Sequence, residues 1–269
     1  MSGKRIFITG GASGFGRALA ERYAQAGWSV LIGDIDQARN TETLAVLQDK
    51  APRAHAVVCD VRKEEDLQAA ADWLVREWGG VDVVVNNAGV AVAGGIADQS
   101  MDDWRWVVDI NLLGVVRGCK VFTPVFRKNG SGYFVNVASA AGLIHPPLMA
   151  AYNATKAAVV AISETLAVEL DADNIGVSVV CPSFFRTNLH ETARATTPEL
   201  QRTTRGMIDR AKSSAEDVAE ITFNGVRKRE FRIIPHNDAK IAFGFKRSVP
   251  FSVFKGMLLR EAKRKMAKA

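Results

Sequence analysis

The chain has few of the residues that build disulfide scaffolds, metal centres and membrane spans. Its 269 residues include three cysteines and four histidines. Cys59, Cys119 and Cys181 are odd in number, scattered and set in apolar segments. That pattern excludes a disulfide framework and offers no metal-ligand spacing, so they read as reduced core residues and no metal is expected. No apolar run approaches the roughly 20 residues that cross a bilayer. The opening "MSGKRIFITG" enters a strand pattern too early for a signal peptide, and a cytoplasmic protein is expected. There is no low-complexity block and no convincing internal repeat, which argues against disordered and solenoid classes. Basic charge is also missing from most of the chain. The net charge is +6, but residues 239–269 hold nine Lys or Arg and one Glu, which leaves the rest at −2. A uniformly basic nucleic-acid surface is therefore not expected.

What is present is an ordinary globular composition, 48% hydrophobic and 24% charged, long enough to bury a large core. "KRIFITG" reads as a buried strand, followed by a Gly-rich turn and a helical pattern that stops at Gly27. "WSVLIGD", "AHAVVCDV", "VDVVVNNAG", "GYFVNVAS", "IGVSVVCPS" and "FRIIP" supply six further strands. Amphipathic patterns lie between them, including one long helix over "DDWRWVVDINLLGVVRGCKVFTPVFRK". Parallel strands need crossovers and helices supply them. The expected architecture is α/β: a doubly wound parallel seven-stranded sheet with helices on both faces, the Rossmann fold. It should occupy residues 1–237, with residues 238–269 as a basic amphipathic helical extension. Ligands in such sheets bind beyond the carboxyl ends of the strands.

The stretch "TGGASGFG", residues 9–16, stands between the first strand and the first helix. Gly10, Gly14 and Gly16, with Ser13 and Phe15, suit a tight turn that lets a pyrophosphate approach the helix N-terminus. Asp34 ends the second strand, where a carboxylate can bond ribose hydroxyls and would repel a 2′-phosphate. NAD is therefore expected rather than NADP, with Arg39 the one residue able to complicate this by turning inward. Asp60 and Val61 would meet the adenine. Asn86, Asn87, Ala88 and Gly89 would let the cofactor lie against the backbone. Asp60 and Asn86 read equally well, one at a time, as turn formers, and the lesser alternative for Asp34 is a helix N-cap or turn aspartate.

In "AAYNATKAAVVA" a Tyr and a Lys four residues apart, Tyr152 and Lys156, share one helix face. A neighbouring ammonium favours a phenolate and would pull the phenol toward neutrality, which makes an acid/base group. "TGGASGFG", "NNAG", Asn111, Ser139 and this pair, in this order, resemble the short-chain dehydrogenase/reductase family over nearly the whole chain to about residue 235. The resemblance implies a hydride-transferring oxidoreductase. Tyr152 would be the acid/base, and Lys156 would lower its pKa and hold the nicotinamide ribose. Ser139 would orient the substrate oxygen, and Asn111 would hold a water in a relay to Lys156. Pro182 and Thr187 in "CPSFFRTNL" match the family's Pro-Gly-x-x-x-Thr segment, which contacts the nicotinamide carboxamide. Ser183 departs from it where Gly is usual.

Substrate contacts in that family come from "AAGLIHPPLMA" and from Phe184 to about Ala211. Leu143, Ile144, Leu148, Met149, Phe184 and Phe185 suggest an apolar pocket. His145 is either its polar contact or a loop residue facing solvent. The resulting expectation is an NAD-dependent dehydrogenase acting on a secondary alcohol and its ketone. An NADPH-dependent 3-oxoacyl-thioester reductase and a non-catalytic NAD-binding sensor or membrane-associated scaffold remain open. The tail has the composition of a helix that lies on an anionic membrane or packs on the domain or a neighbouring subunit. A homodimer or homotetramer is expected from the resemblance.

Overall fold

The computed structural model describes residues 4–266. One sheet holds β1 (Arg5–Thr9), β2 (Ser29–Asp34), β3 (Ala54–Val58), β4 (Val83–Asn86), β5 (Gly132–Val137), β6 (Ile175–Val180) and β7 (Arg232–Ile233). All are parallel, in the order β3-β2-β1-β4-β5-β6-β7. The chain moves outward in one direction from β1 and returns to start again at β4. Connections on either side therefore leave in opposite directions and open a crevice above these two strands.

The sheet is covered on both faces because its strands are apolar at consecutive positions. In β1, Ile6 and Ile8 enter one core and Phe7 the other, and all three are fully buried. The Ile6 side packs against α1 (Gly14–Gln25) and α10 (Ala215–Arg227) through Leu19, Tyr23, Ala219 and Phe223. The Phe7 side packs against α3 (Glu64–Trp78), α5 (Gly114–Asn129) and α7 (Ala150–Glu169) through Leu67, Leu74, Phe122, Phe126 and Val159. Fully burying each such side chain stabilises by roughly 1.5–3 kcal/mol. The three cysteines are buried free thiols, and burial pushes each up to about 12.

The long helix after β4 differs from its sequence pattern. It runs as α4 (Met101–Val108), then a π turn over Asp109–Leu113, then α5. The π turn takes in an extra residue and turns Asn111 into the interior, where it is fully buried. Its Oδ1 accepts from the Val90 N–H at 2.8 Å and its Nδ2 donates to the Val90 carbonyl at 2.9 Å. These two bonds fix the strand-end loop against the helix.

The shorter helices are α2 (Gln37–Gln48), α6 (Ala141–Ile144), α8 (Leu189–Thr192) and α9 (Pro198–Asp209). After β7 the chain continues as α11 (Asn237–Ser248) and α12 (Phe251–Met266). The first of these packs against α6 and the second against α11.

Candidate active site

A cleft of about 700 Å³ lies beyond the carboxyl ends of the sheet. Its lining takes the residue at or just after the end of six successive strands: Gly10, Asp34, Cys59, Asn87, Ser139 and Pro182. This follows from strand polarity, since a parallel sheet brings all its strand ends to one edge. Of the sequence-expected residues, Ser13, Gly14, Phe15, Gly16, Asp60, Val61, Ala88, Gly89, Tyr152, Lys156, Phe184 and Thr187 also line it.

The Gly-rich turn is folded against its neighbours. Gly14 has φ +49°, a left-handed conformation in which a side chain is strained. A Cβ on Gly16 would stand 2.0 Å from the Gly10 carbonyl oxygen. Ser13 does not cap α1 with its side chain, so the first N–H groups of that helix keep no side-chain partner. Space without a Cβ and unpaired donors at a helix start suit a pyrophosphate. The residues present fit a nicotinamide dinucleotide.

Two residues brace this turn, and one of them was not singled out from the sequence. Thr9 Oγ1 accepts from the N–H groups of Asn87 at 3.0 Å and Ala88 at 3.1 Å. Asn87 Nδ2 donates to the Thr9 carbonyl at 2.8 Å and the Gly10 carbonyl at 3.1 Å. Asn87 thus spends its amide on the turn while its surface borders the cleft. Asn86 does not reach the cleft: its Nδ2 donates to Asn136 Oδ1 at 2.9 Å inside the core.

At the far end, the Asp34 carboxylate accepts from the Ala12 N–H at 3.2 Å and the Asp36 N–H at 3.1 Å, which orients it at the rim. The two arginines nearby are engaged. Arg39 Nη2 donates to Glu191 Oε2 at 2.7 Å, and its Nε lies 3.3 Å from Asp36 Oδ2. Arg62, which the sequence reading passed over, holds both carboxylate oxygens of Asp60 through Nε at 2.9 and 3.0 Å. Arg62 holds the Asp60 carboxyl below its usual range.

At the reacting end, α7 places Tyr152 and Lys156 one turn apart, with Nζ 5.9 Å from the Tyr152 ring centre. Lys156 is 4% exposed and donates to the Val137 carbonyl at 2.8 Å. Ser139 accepts from the Ala141 N–H at 3.1 Å and lines the cleft together with Tyr152. The electrostatics differ from the sequence expectation. Burial is the largest influence on Tyr152 and pushes its pKa up, against the lowering effect of Ser139. Burial also brings Lys156 down to about 8. Desolvation outweighs the expected pull of the lysine because both groups sit in the same dry wall. Asn111 lies behind this wall rather than in the cleft lining, although a Cβ on Gly89 would fall 3.2 Å from Asn111 Oδ1 and 3.4 Å from Lys156 Nζ.

The apolar end is built differently from the sequence reading. Ile144, Met149, Phe184 and Phe185 line it, but Leu143 is a core residue and Leu148 is 54% exposed. His145 is turned away from the cleft. Its Nε2 donates to the Gly142 carbonyl at 3.0 Å, and its Nδ1 accepts from Lys246 Nζ at 2.8 Å. Both ring nitrogens are thus taken by the protein. Trp106, Ile110, Val90 and Ile208 complete the apolar wall. None of them is named individually by the sequence, although Ile208 falls within the span from Phe184 to Ala211; Trp106 is on α4, Ile110 in the π turn and Val90 in the loop after β4, and only folding brings them to one wall. Ser183, where the related segment has Gly, keeps its backbone in place by donating to His236 Nδ1 at 3.1 Å.

A family model for short chain dehydrogenases matches residues 4–198. The chain belongs to this family. A short-chain dehydrogenase/reductase from Burkholderia phymatum, solved in complex with NAD, superposes with a TM-score of 0.86 at 33% identity, covering 91% of this chain and 93% of that one. The 3β-hydroxysteroid dehydrogenase 1 of Eggerthella lenta is 33% identical over 222 residues, 81% of this chain and 85% of that protein. The oxidoreductase EphD of Mycobacterium tuberculosis is 34% identical over 254 residues, 91% of this chain but 43% of its own length. This short-chain dehydrogenase is an oxidoreductase that binds a nicotinamide cofactor and acts on a small molecule. Solved relatives hold NAD in some cases and NADPH in others.

Proposed function

We propose that this short-chain dehydrogenase transfers a hydride between NAD and a secondary alcohol or ketone of mostly apolar character. The observation that carries the cofactor half is the oriented Asp34 carboxylate at the rim, with Arg39 and Arg62 already paired to Glu191 and Asp60. A 2′-phosphate brought there meets a fixed negative charge and no free cation from this pair of arginines. Like charges juxtaposed in this way cost several kcal/mol, or a factor of about 100 or more. Purified protein should therefore show kcat/KM for NAD about 100-fold above that for NADP, with Asp34→Asn reducing the ratio at least tenfold. Wild-type preference for NADP would overturn the assignment and favour the acyl-thioester reductase reading.

The substrate half rests on the wall of Trp106, Ile110, Ile144, Met149 and Phe184 beside Tyr152 and Ser139. A flat or extended apolar body fits there with one oxygen against the two hydroxyls. The bound cofactor supplies the hydride acceptor or donor. The chain's residues manage the proton: the Tyr152 phenolate Oη accepts it from the alcohol hydroxyl in oxidation, and the phenol returns it to the carbonyl oxygen in reduction. Ser139 orients the oxygen, and Lys156 places a positive charge behind the phenol below about pH 8. A sensor needs no such paired hydroxyls over a polar-to-apolar junction. We also take the protein to work in the cytoplasm as a homodimer or homotetramer, a reading supported by its three buried free thiols and by the habit of similar proteins.

The raised phenol has a consequence for pH. The protonated form predominates at neutral pH, so reduction has its acid in place, whereas oxidation needs the minority phenolate. kcat/KM for alcohol oxidation should climb with pH through the neutral range, by up to about tenfold per unit. Initial rates at 340 nm in overlapping buffers will test this. A flat oxidation profile would mean that Tyr152 does not take the proton.

A further inference from the structure

We infer that the outer face of α11 and α12 docks the protein on an anionic lipid surface, independently of which alcohol it oxidises. The two helices are anchored from one side only. Ala239 is 3% exposed and Phe254 is 1% exposed, and the Phe245 and Phe254 rings lie 6.5 Å apart. Around the rest of their surface, large apolar residues remain in the open. Ile241 is 72% exposed, Phe251 71%, Val253 52% and Leu259 53%. In α11, Ile241 and Phe245 are one turn apart. In α12, Phe251 and Leu259 are two turns apart with Lys255 between them on the same stripe.

The exposed charged residues interleaved with these are basic. Lys240, Arg247, Lys255 and Arg260 are all exposed, and residues 239–260 contain no Asp or Glu. A face of bulky apolar residues with cations among them, on a helix pair joined to the domain where α11 packs on α6, is suited to the headgroup boundary of a bilayer. There the apolar tips reach the acyl chains and the long basic side chains reach lipid phosphates. Among the described residues no helix is long and apolar enough to cross a membrane, so the contact is with the surface. Charge also disfavours a second copy as the occupant: the sequences of α11 and α12 hold eight Lys or Arg against two acids, Asp238 and Glu261, so two such faces would bring mostly like charges together. Lys246 meanwhile ties this unit to the loop after Ser139, donating to the Leu143 carbonyl at 2.6 Å and to His145. The docked face therefore keeps a fixed position beside the apolar end of the cleft.

The test is flotation of the full chain with phosphatidylcholine vesicles, with and without phosphatidylglycerol, at low and high salt. The protein should float only with the anionic vesicles and should be released by salt, which screens the attraction. The combined variant Lys240→Gln, Arg247→Gln, Lys255→Gln and Arg260→Gln should lose roughly 100-fold or more in partitioning. Ile241→Ser with Phe251→Ser and Leu259→Ser should lose binding comparably while cofactor binding and circular dichroism stay unchanged. Absence of binding to either vesicle, or equal binding to both, overturns the inference. So does an oligomer in sedimentation that the serine variant dissociates without any vesicle contact, since a second copy would then cover the face.

Discussion

Replacing Tyr152 by Phe should lower turnover by about 10²- to 10⁴-fold, the range that a positioned acid/base contributes, while leaving the affinity for NAD unchanged. The substitution keeps the ring in its buried place, where Tyr152 is 8% exposed, and removes only the hydroxyl. Ser139 keeps both of its own bonds, accepting from Ala141 and donating to the Pro182 carbonyl at 3.4 Å, so the loop should hold. Absorbance at 340 nm against a panel of secondary alcohols from aliphatic to steroid-sized will read the rate. Fluorescence titration will read NAD binding. If the variant turns over within tenfold of the wild type, the proton passes through another group and the assignment of Tyr152 fails. If affinity falls together with rate, the hydroxyl serves binding rather than chemistry.

Replacing Gly16 by Ala should weaken NAD binding roughly 10- to 100-fold, the equivalent of about 1–3 kcal/mol of overpacking strain. The added methyl would lie 2.0 Å from the Gly10 carbonyl oxygen and 2.5 Å from Asn87 Nδ2. Neither can step aside easily, because the Gly10 oxygen is backbone and the Asn87 amide is bonded to it and to Thr9. The turn must open, and its N–H groups move from the pyrophosphate position. Gly256→Ala is the control, since a Cβ there meets nothing within 4 Å. It should leave NAD affinity untouched. Calorimetric titration that finds wild-type affinity in Gly16→Ala would show that the cofactor does not use this turn.

Some of this was decided locally and was therefore legible in the residues alone. Consecutive apolar or β-branched positions in "RIFIT", closed by the Gly-rich turn, read as a strand covered on both sides, and alternation with helical periods leaves a parallel sheet as the solution. Helical geometry alone puts Tyr152 beside Lys156. The Gly-rich turn carries its own chemistry, because the missing Cβ atoms are a property of the sequence. Strand polarity then brings the six strand ends to one cleft.

What only the tertiary structure decided involves partners distant in the chain, or the solvent that folding removes. The direction of the Tyr152 shift depends on burial, which no spacing reveals. Arg39 is occupied by Glu191, 152 residues further on, so the question the sequence left open about its reach is answered by a loop rather than by its own neighbours. His145 faces Lys246, 101 residues away, and for that reason is not in the cleft. Asn111 was identified by its place in a pattern, yet its partner is the Val90 backbone and its burial comes from a π turn that the helical period conceals. Periodicity shows which face of an element is apolar; contact between faces determines which polar groups are left free to act.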